Sequence, residues 1–201
     1  MKKSTLLLIV VGILVLLPAA GGADKATLVG VYSTENIKFE SGANKEERTA
    51  AGLHFQGSSF IGMSDVGIKY WLGARKPLSW KDGTKEIDVK DVPVYWDVGV
   101  GAVYQAPINL DMFLEVGAGF QYSLQTTTEA AITYELGTFY VNALAELNYA
   151  FQPNLFLSIG VIAGYPLYVD GKITYLGFSW SGEESASGLY LAPYAGLSFS
   201  Y

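Results

Sequence analysis

Residues 92–124 alternate. Val92, Val94, Trp96, Val98, Val100, Ala102 and Tyr104 share one parity, and Pro93, Tyr95, Asp97, Gly99, Gly101, Val103 and Gln105 share the other. After a break at Ala106–Asp111 the pattern resumes. Met112, Leu114, Val116, Ala118, Phe120, Tyr122 and Leu124 lie opposite Phe113, Glu115, Gly117, Gly119, Gln121 and Ser123. Side chains on a strand point alternately to its two faces, so this is a hairpin with one greasy side and one small or polar side. Each strand runs about 13 residues, past the ~5–6 common in soluble sheets and the ~9–11 a tilted strand needs to cross a bilayer. The greasy side must meet either a core or lipid.

Seven further features bear on that choice. The first is the start of the chain, where Lys2 and Lys3 precede the apolar run Thr5–Leu17 and the small residues of Pro18–Ala23. A run of about 13 residues is short of the ~20 a spanning helix needs and has the layout of a secretory leader. Residues 1–23 are therefore expected to be a signal peptide and residues 24–201 a single exported domain. Without Lys2 and Lys3 the exported part has 11 basic and 19 acidic residues, a net charge of −8. That balance argues against a nucleic-acid partner. The absence of cysteine excludes disulfides, thiolate metal sites and a lipoprotein anchor.

The second feature is repetition of the hairpin's pattern. Eight strand-like segments are expected at residues 26–38, 47–57, 64–74, 91–105, 112–125, 136–150, 155–168 and 188–201, with no sustained helical period. The third is that connections alternate in length. Gln56–Ser64, Ala106–Asp111 and Phe151–Asn154 are short, whereas Thr34–Lys45, Arg75–Asp91, Gln125–Leu136 and Val169–Gly188 are long and polar. In an up-and-down sheet this puts short turns at one end and long loops at the other, as in membrane barrels. Asp82-Gly83 and Asp170-Gly171 are hairpin-turn dipeptides within two of the long loops, so some strands should continue beyond the membrane.

The fourth feature is aromatic placement. On the apolar parity Trp96, Phe120, Tyr122, Phe139 and Tyr165 sit toward the long-loop end, and Phe55, Tyr104, Tyr149, Phe199 and Tyr201 toward the short-turn end. Two aromatic girdles around an aliphatic band are expected of a membrane wall. The fifth is charge. His54, Lys69, Asp97, Glu115 and Glu146 all fall on the polar parity, where they avoid the cost of facing lipid. The sixth is glycine on that same parity, at Gly99, Gly101, Gly117, Gly119, Gly160, Gly164 and Gly196. A soluble barrel would carry Lys, Glu and Thr there; small residues suit the narrow lumen of eight strands. The expected fold is an all-β, eight-stranded, antiparallel, up-and-down transmembrane β-barrel.

The last feature is the final strand, Gly188-LYLAPYAGLSFSY, in which Leu191, Pro193, Ala195, Leu197, Phe199 and Tyr201 alternate to a terminal aromatic residue. It resembles the C-terminal assembly signal of bacterial outer-membrane proteins, carried here by Leu197, Phe199 and Tyr201, although that family usually ends in Phe. Together with the leader and eight strands, the chain resembles the small OmpA/OmpX/OmpW-like barrels. The resemblance implies a Gram-negative-type envelope, short periplasmic turns, long extracellular loops and both termini in the periplasm. It implies as partners outer-membrane lipid, the barrel-assembly insertase and periplasmic chaperones. No peptidoglycan-binding domain is expected after the last strand.

Enzymatic barrels of this size act on lipids with a His, a Ser and an acid. Here the lone histidine, His54, is on the lumen parity toward the short turns. Glu115 and Glu146 lack any sign of a sugar-sized cleft between them. No enzyme, cofactor or metal site is therefore expected. The five lumen ionisable groups, Asp97 higher than the other four, are expected to meet across the narrow lumen in one polar layer, with a Lys69–Glu115/Glu146 network that plugs the barrel or gates water through it. Pro166 and Pro193 cannot donate to a ladder and should weaken one seam between the last two strands. In OmpW-like barrels such a wall opening implies lateral release of small hydrophobic molecules, past lumen-parity residues such as Tyr95, Leu144, Ile162 and Tyr194. The main expectation is a surface-exposed structural or interaction protein with a largely filled lumen, its loop aromatics Trp80, Phe178 and Trp180 either meeting a host or matrix surface or packing within their own loops. The alternative is a narrow porin-like conduit for small hydrophobic molecules.

Overall fold

The computed structural model describes residues 24–40, 45–61, 64–90, 92–129 and 132–200. The expected leader at 1–23 and the terminal Tyr201 lie outside the described residues. The strands are β1 (Lys25–Phe39), β2 (Lys45–Phe60), β3 (Val66–Asp82), β4 (Lys85–Ile87), β5 (Tyr95–Pro107), β6 (Met112–Glu129), β7 (Ile132–Gln152), β8 (Leu155–Tyr175) and β9 (Phe178–Ser200). Every pairing is antiparallel, and β1 pairs with both β2 and β9, so eight strands close a ring. The short β4 only extends the rim beside β3. Stepping across the ring from Lys25 through Ser58, Lys69, Gly101, Gly119, Asn142, Gly164 and Tyr190 returns to β1 at Glu35. This ten-residue stagger accompanies strands tilted by ~35–45° and an interior just wide enough for side chains.

The two parities separate as radial directions. Outward lie Leu28, Leu53, Leu72, Val100, Val116, Val141, Ile159, Val161 and Leu197, all solvent-accessible. Trp96, Phe120 and Tyr165 flank this belt toward one end, and Phe55, Tyr104, Tyr149 and Phe199 toward the other, each exposed. Phe139 stacks between Phe120 and Tyr168 at centroid distances of 5.7 and 5.3 Å. Tyr122 is half-buried, its hydroxyl donating to Asp170 at 2.9 Å. Inward lie His54, Lys69, Asp97, Glu115 and Glu146, all buried.

The strands run well past the belt at the long-loop end. Most of the residues 34–45, 75–91 and 169–188 expected as loops are paired ribbon. The turn expected at Asp82-Gly83 is present, with Gly83 at φ 60°. The one expected at Asp170-Gly171 is not. Both residues sit in the β7–β8–β9 ladders, and the chain reverses at Leu176-Gly177, with φ values of 47° and 86°. That two-residue turn matches the strand twist, and continued pairing outweighs the penalty of a left-handed leucine.

Side-chain polarity inverts within this ribbon. Leu167 is an extra residue in β8, because Tyr140 pairs with Pro166 and Phe139 with Tyr168. The bulge resets β8 so that Val169, Gly171, Ile173 and Tyr175 face inward. Their neighbours across the ladders are Leu136, Tyr134 and Ile132 on β7 and Gly182, Trp180 and Phe178 on β9. Thr133, Glu135, Lys172, Thr174, Ser179 and Ser181 take the outer side. Below the bulge the wall is greasy outside; above it, greasy inside.

Candidate functional site

The lumen is packed in three layers. Nearest the short turns, Glu115 and Glu146 stand directly opposite each other on β6 and β7. Like charges so placed repel unless cations intervene. Lys69 Nζ lies 2.8 Å from Oε2 of both glutamates. Lys25 Nζ reaches Glu115 Oε1 at 2.5 Å and also bonds Glu146 Oε1. Two lysines and two glutamates thus form a neutral square. Ser58 donates to Glu115 at 3.0 Å, the Tyr194 hydroxyl to Glu146 at 2.8 Å, and Lys25 also to Asn148 at 3.1 Å.

Above this square Val29, Val31, Trp71, Leu144, Ile162 and Tyr190 form one buried cluster across the axis. Tyr194 and Tyr140 join it, and Tyr95 is buried nearby, so these rings fill the lumen where a path was expected to run. The Trp71 ring lies over Gly99, where an added Cβ would fall 2.0 Å from ring carbon Cε2, and its Nε1 donates to Gln121 at 3.1 Å. Replacing Gly99 with valine is expected to cost about 1–3 kcal/mol by overpacking, with much of the loss recovered by Trp71→Leu in the same chain. Urea unfolding of the two variants in lipid vesicles checks this.

The third layer centres on Asp97. Arg75 grips it in a two-point fork, Nε to Oδ2 at 2.5 Å and Nη2 to Oδ1 at 2.8 Å. His54 Nε2 lies 3.0 Å from Oδ2, and Ser123 donates to Oδ1 at 2.5 Å. Arg75 Nη1 bonds Ser33 at 2.5 Å and Glu35 at 2.9 Å, and Tyr140 donates to Glu35 at 3.2 Å. Arg48 is 4.0 Å from Glu35, bonds Glu46, and lies over the Trp80 ring at 4.5 Å. Trp80, expected to be exposed, is half-buried by this contact.

The five expected lumen residues therefore divide: Lys69, Glu115 and Glu146 meet in one cluster, His54 and Asp97 in another, with the apolar layer between. One polar layer is impossible because Lys69 and Asp97 lie four residues apart in register, Lys69 facing Gly101 and Gly73 facing Asp97. Four cluster members lie outside the expected set: Lys25, Glu35, Arg48 and Arg75. Lys25 precedes the expected first strand, Arg48 sits at the start of the second, Glu35 lies where the expected first strand and first long connection overlap, and Arg75 falls in an expected loop. Extending the parity of Val29 to Lys25 and Glu35, of His54 to Arg48, and of Lys69 to Arg75 would have included them.

The prolines act on different seams. The β8–β9 register stops at Gly164↔Tyr190 and resumes at Tyr168↔Ser185, with Pro166 in the gap. Pro193 pairs with Val161 in register, and it is the β1–β9 ladder that skips it, between Val31↔Tyr194 and Thr34↔Leu191. A missing N–H weakens only the ladder it would have served.

Above the upper cluster the inward apolar ribbon bounds a vestibule of 880 Å³. Phe39, Leu136 and Val169 line it low down, Ile173 and Trp180 on the ribbon side, and Trp80, Ile87 and Pro93 from β3, β4 and the segment before β5. A smaller cavity of 300 Å³ opens at the short-turn end beside Lys25, Phe113 and Phe156.

A closed ring of eight tilted strands with a greasy belt and a polar, packed lumen is the fold of the small outer-membrane β-barrels. Among solved structures it is similar to Neisserial surface protein A, at 11% identity and a TM-score of 0.54 over 88% of this chain and 97% of that one. It is similar to OprG from Pseudomonas aeruginosa, at 12% identity and 0.54 over 90% and 97%. It is also similar to AlkL in lipid bilayers, at 15% identity and 0.51 over 90% and 91%. No family model matches the sequence, and no curated protein does. At these identities the shared property is the fold.

Proposed function

We propose that this protein is an integral outer-membrane barrel, exported by its leader, with its short turns and both ends in the periplasm. It acts as a surface-exposed structural or interaction protein whose lumen is closed. Support for the membrane placement is physical: an apolar belt encircling the molecule far exceeds the few hundred Å² that soluble surfaces expose. Lipid is its partner there, and the insertase and periplasmic chaperones its partners during assembly. The observation that carries the closed lumen is the stack of two buried ion clusters with Trp71, Leu144 and Ile162 between them. His54 is fully buried and held on Asp97, which supports a non-enzymatic role. Planar-bilayer recording tests the reading: the reconstituted barrel should show no steady ion current, and a stable single-channel conductance would overturn it.

A second reading, a narrow conduit for small hydrophobic molecules, draws on the interrupted β8–β9 ladder at Pro166, which lies just below Val169 and Ala186 of the vestibule region. A molecule entering the vestibule would leave sideways through that gap into the membrane. Liposomes carrying the protein would then take up a hydrophobic solute faster than empty ones, and equal uptake removes the reading.

A further inference from the structure

Near its tip the ribbon has a strand edge that no other strand covers. β9 has two neighbours, β8 and, along its lower part, β1. The β1 ladder stops at Phe39↔Ala186, with one further bond from the Glu40 N–H to the Ser185 carbonyl at 3.2 Å. Beyond it, among the described residues, the segment 178–182 pairs with β8 alone. Because the Ser185 carbonyl faces the β1 side, the two-residue period of a strand turns the N–H and C=O of Ser181 and Ser179 the same way. Those groups stand open, whereas Phe178, Trp180 and Gly182 direct theirs into the β8 ladder.

Natural sheets protect such edges with charge, proline or a bulge. Residues 178–182, Phe-Ser-Trp-Ser-Gly, have none of these. The short rim strand β4, in contrast, carries both Lys85 and Glu86. Nor does the chain take up the edge's apolar surface, since Trp180 is 60% and Phe178 70% exposed.

The edge is complementary to itself. Two antiparallel copies centred on Trp180 set Ser179 opposite the partner's Ser181, so that their open N–H and C=O groups close on each other. Trp180 then meets the partner's Trp180 at a non-hydrogen-bonded position, where opposite side chains come closest. Phe178 lies over the partner's Gly182, and no like charges face each other. The row Tyr134–Ile173–Trp180 continues into the same row of its copy.

We infer that residues 178–182 of β9 dock edge to edge on the same residues of a second copy held in an apposed membrane. Symmetry decides the apposition. Copies in one membrane are related by an axis along its normal, so both β9 strands descend from tip to barrel and cannot run antiparallel. An axis parallel to the membrane reverses one of them. The inference rests on the outer-membrane placement with the ribbon outward, and it gives that surface role a partner, a second membrane bearing the same chain.

The test uses phosphatidylcholine vesicles carrying the barrel, in two fluorescent colours, after flotation through a density gradient has shown that the protein is inserted. Mixing the two populations should give two-coloured clusters by fluorescence coincidence and light scattering. A protein-bearing population mixed with an empty one should give none. Ser181→Pro removes an N–H that β8 does not use and leaves every apolar side chain in place. It should slow clustering about tenfold, since each copy loses a donated backbone bond. Trp180→Ala should slow it as well. A heat-modifiable gel shift establishes that each variant is folded. Clustering with empty vesicles, or none between protein-bearing ones, overturns the proposal. So does undiminished clustering by Ser181→Pro, because apolar adhesion and not strand pairing would then be the cause. A protein that fails to float with lipid sinks the membrane placement and this inference together; floating vesicles that stay apart sink this one alone.

Discussion

Asp97→Ala is expected to destabilise the folded barrel by about 3–5 kcal/mol, the range for stripping the partner from a buried charge. Arg75 is fully buried and directs two of its nitrogens at Asp97. Without that carboxylate it keeps the hydroxyls of Ser33 and Ser123 and a single ionic contact, to Glu35, at a fully buried position. His54, Ser123 and Gln121 lose an acceptor in the same stroke. Two comparisons separate charge from shape. Asp97→Asn keeps the volume and one acceptor oxygen and should fall between wild type and alanine. Arg75→Met combined with Asp97→Ala should be less harmful than Asp97→Ala alone, because the stranded cation goes too. Urea titrations of the three variants in lipid vesicles, followed by tryptophan fluorescence, give the free energies. A loss within 1 kcal/mol of zero for Asp97→Ala would show that the cluster is hydrated and not a closed plug.

The Lys69 square carries the second large effect. Lys69→Ala leaves Glu115 and Glu146, neighbours across one ladder step, sharing only Lys25. The expected loss is again about 3–5 kcal/mol. Replacing the whole square, Lys25 and Lys69 by Met and both glutamates by Gln, should cost far less than the single change, since uncharged groups of similar size need no ion partner. A double-mutant cycle between Lys69 and each glutamate measures the coupling. Zero coupling to both would remove the square as an energetic unit. Stability that falls further in the fourfold variant than in Lys69→Ala would show that the ions, and not their size, hold the short-turn end closed.

Much of this architecture was legible from period-two alternation, because the direction of a strand side chain is a local property of the backbone. The hairpin at 95–125 needed no tertiary information to separate Trp96, Val100, Phe120 and Tyr122 from Asp97, Gly99, Glu115 and Gln121. What was not legible is where strands end and where parity resets. Residues 75–82 and 169–175 are polar or mixed in sequence yet paired in the fold, so period alone assigns Arg75 and the ribbon beyond Val169 to loops. The Leu167 bulge has no residue-level signature of its own. It exists because β7 and β9 hold the register on either side, and it alone turns Val169 and Ile173 inward.

By itself, then, the sequence determined which side chains face lipid and which face the axis, and with that the barrel. Closure decided the rest. Lys25 finds Glu146 across 121 residues of chain, and Arg75 finds Glu35 across 40, only because a ten-residue stagger brings those heights together. Stagger is a sum over all eight ladders, so no window of sequence contains it. The same sum splits the charges into two clusters and sets an apolar ribbon wall above the upper one.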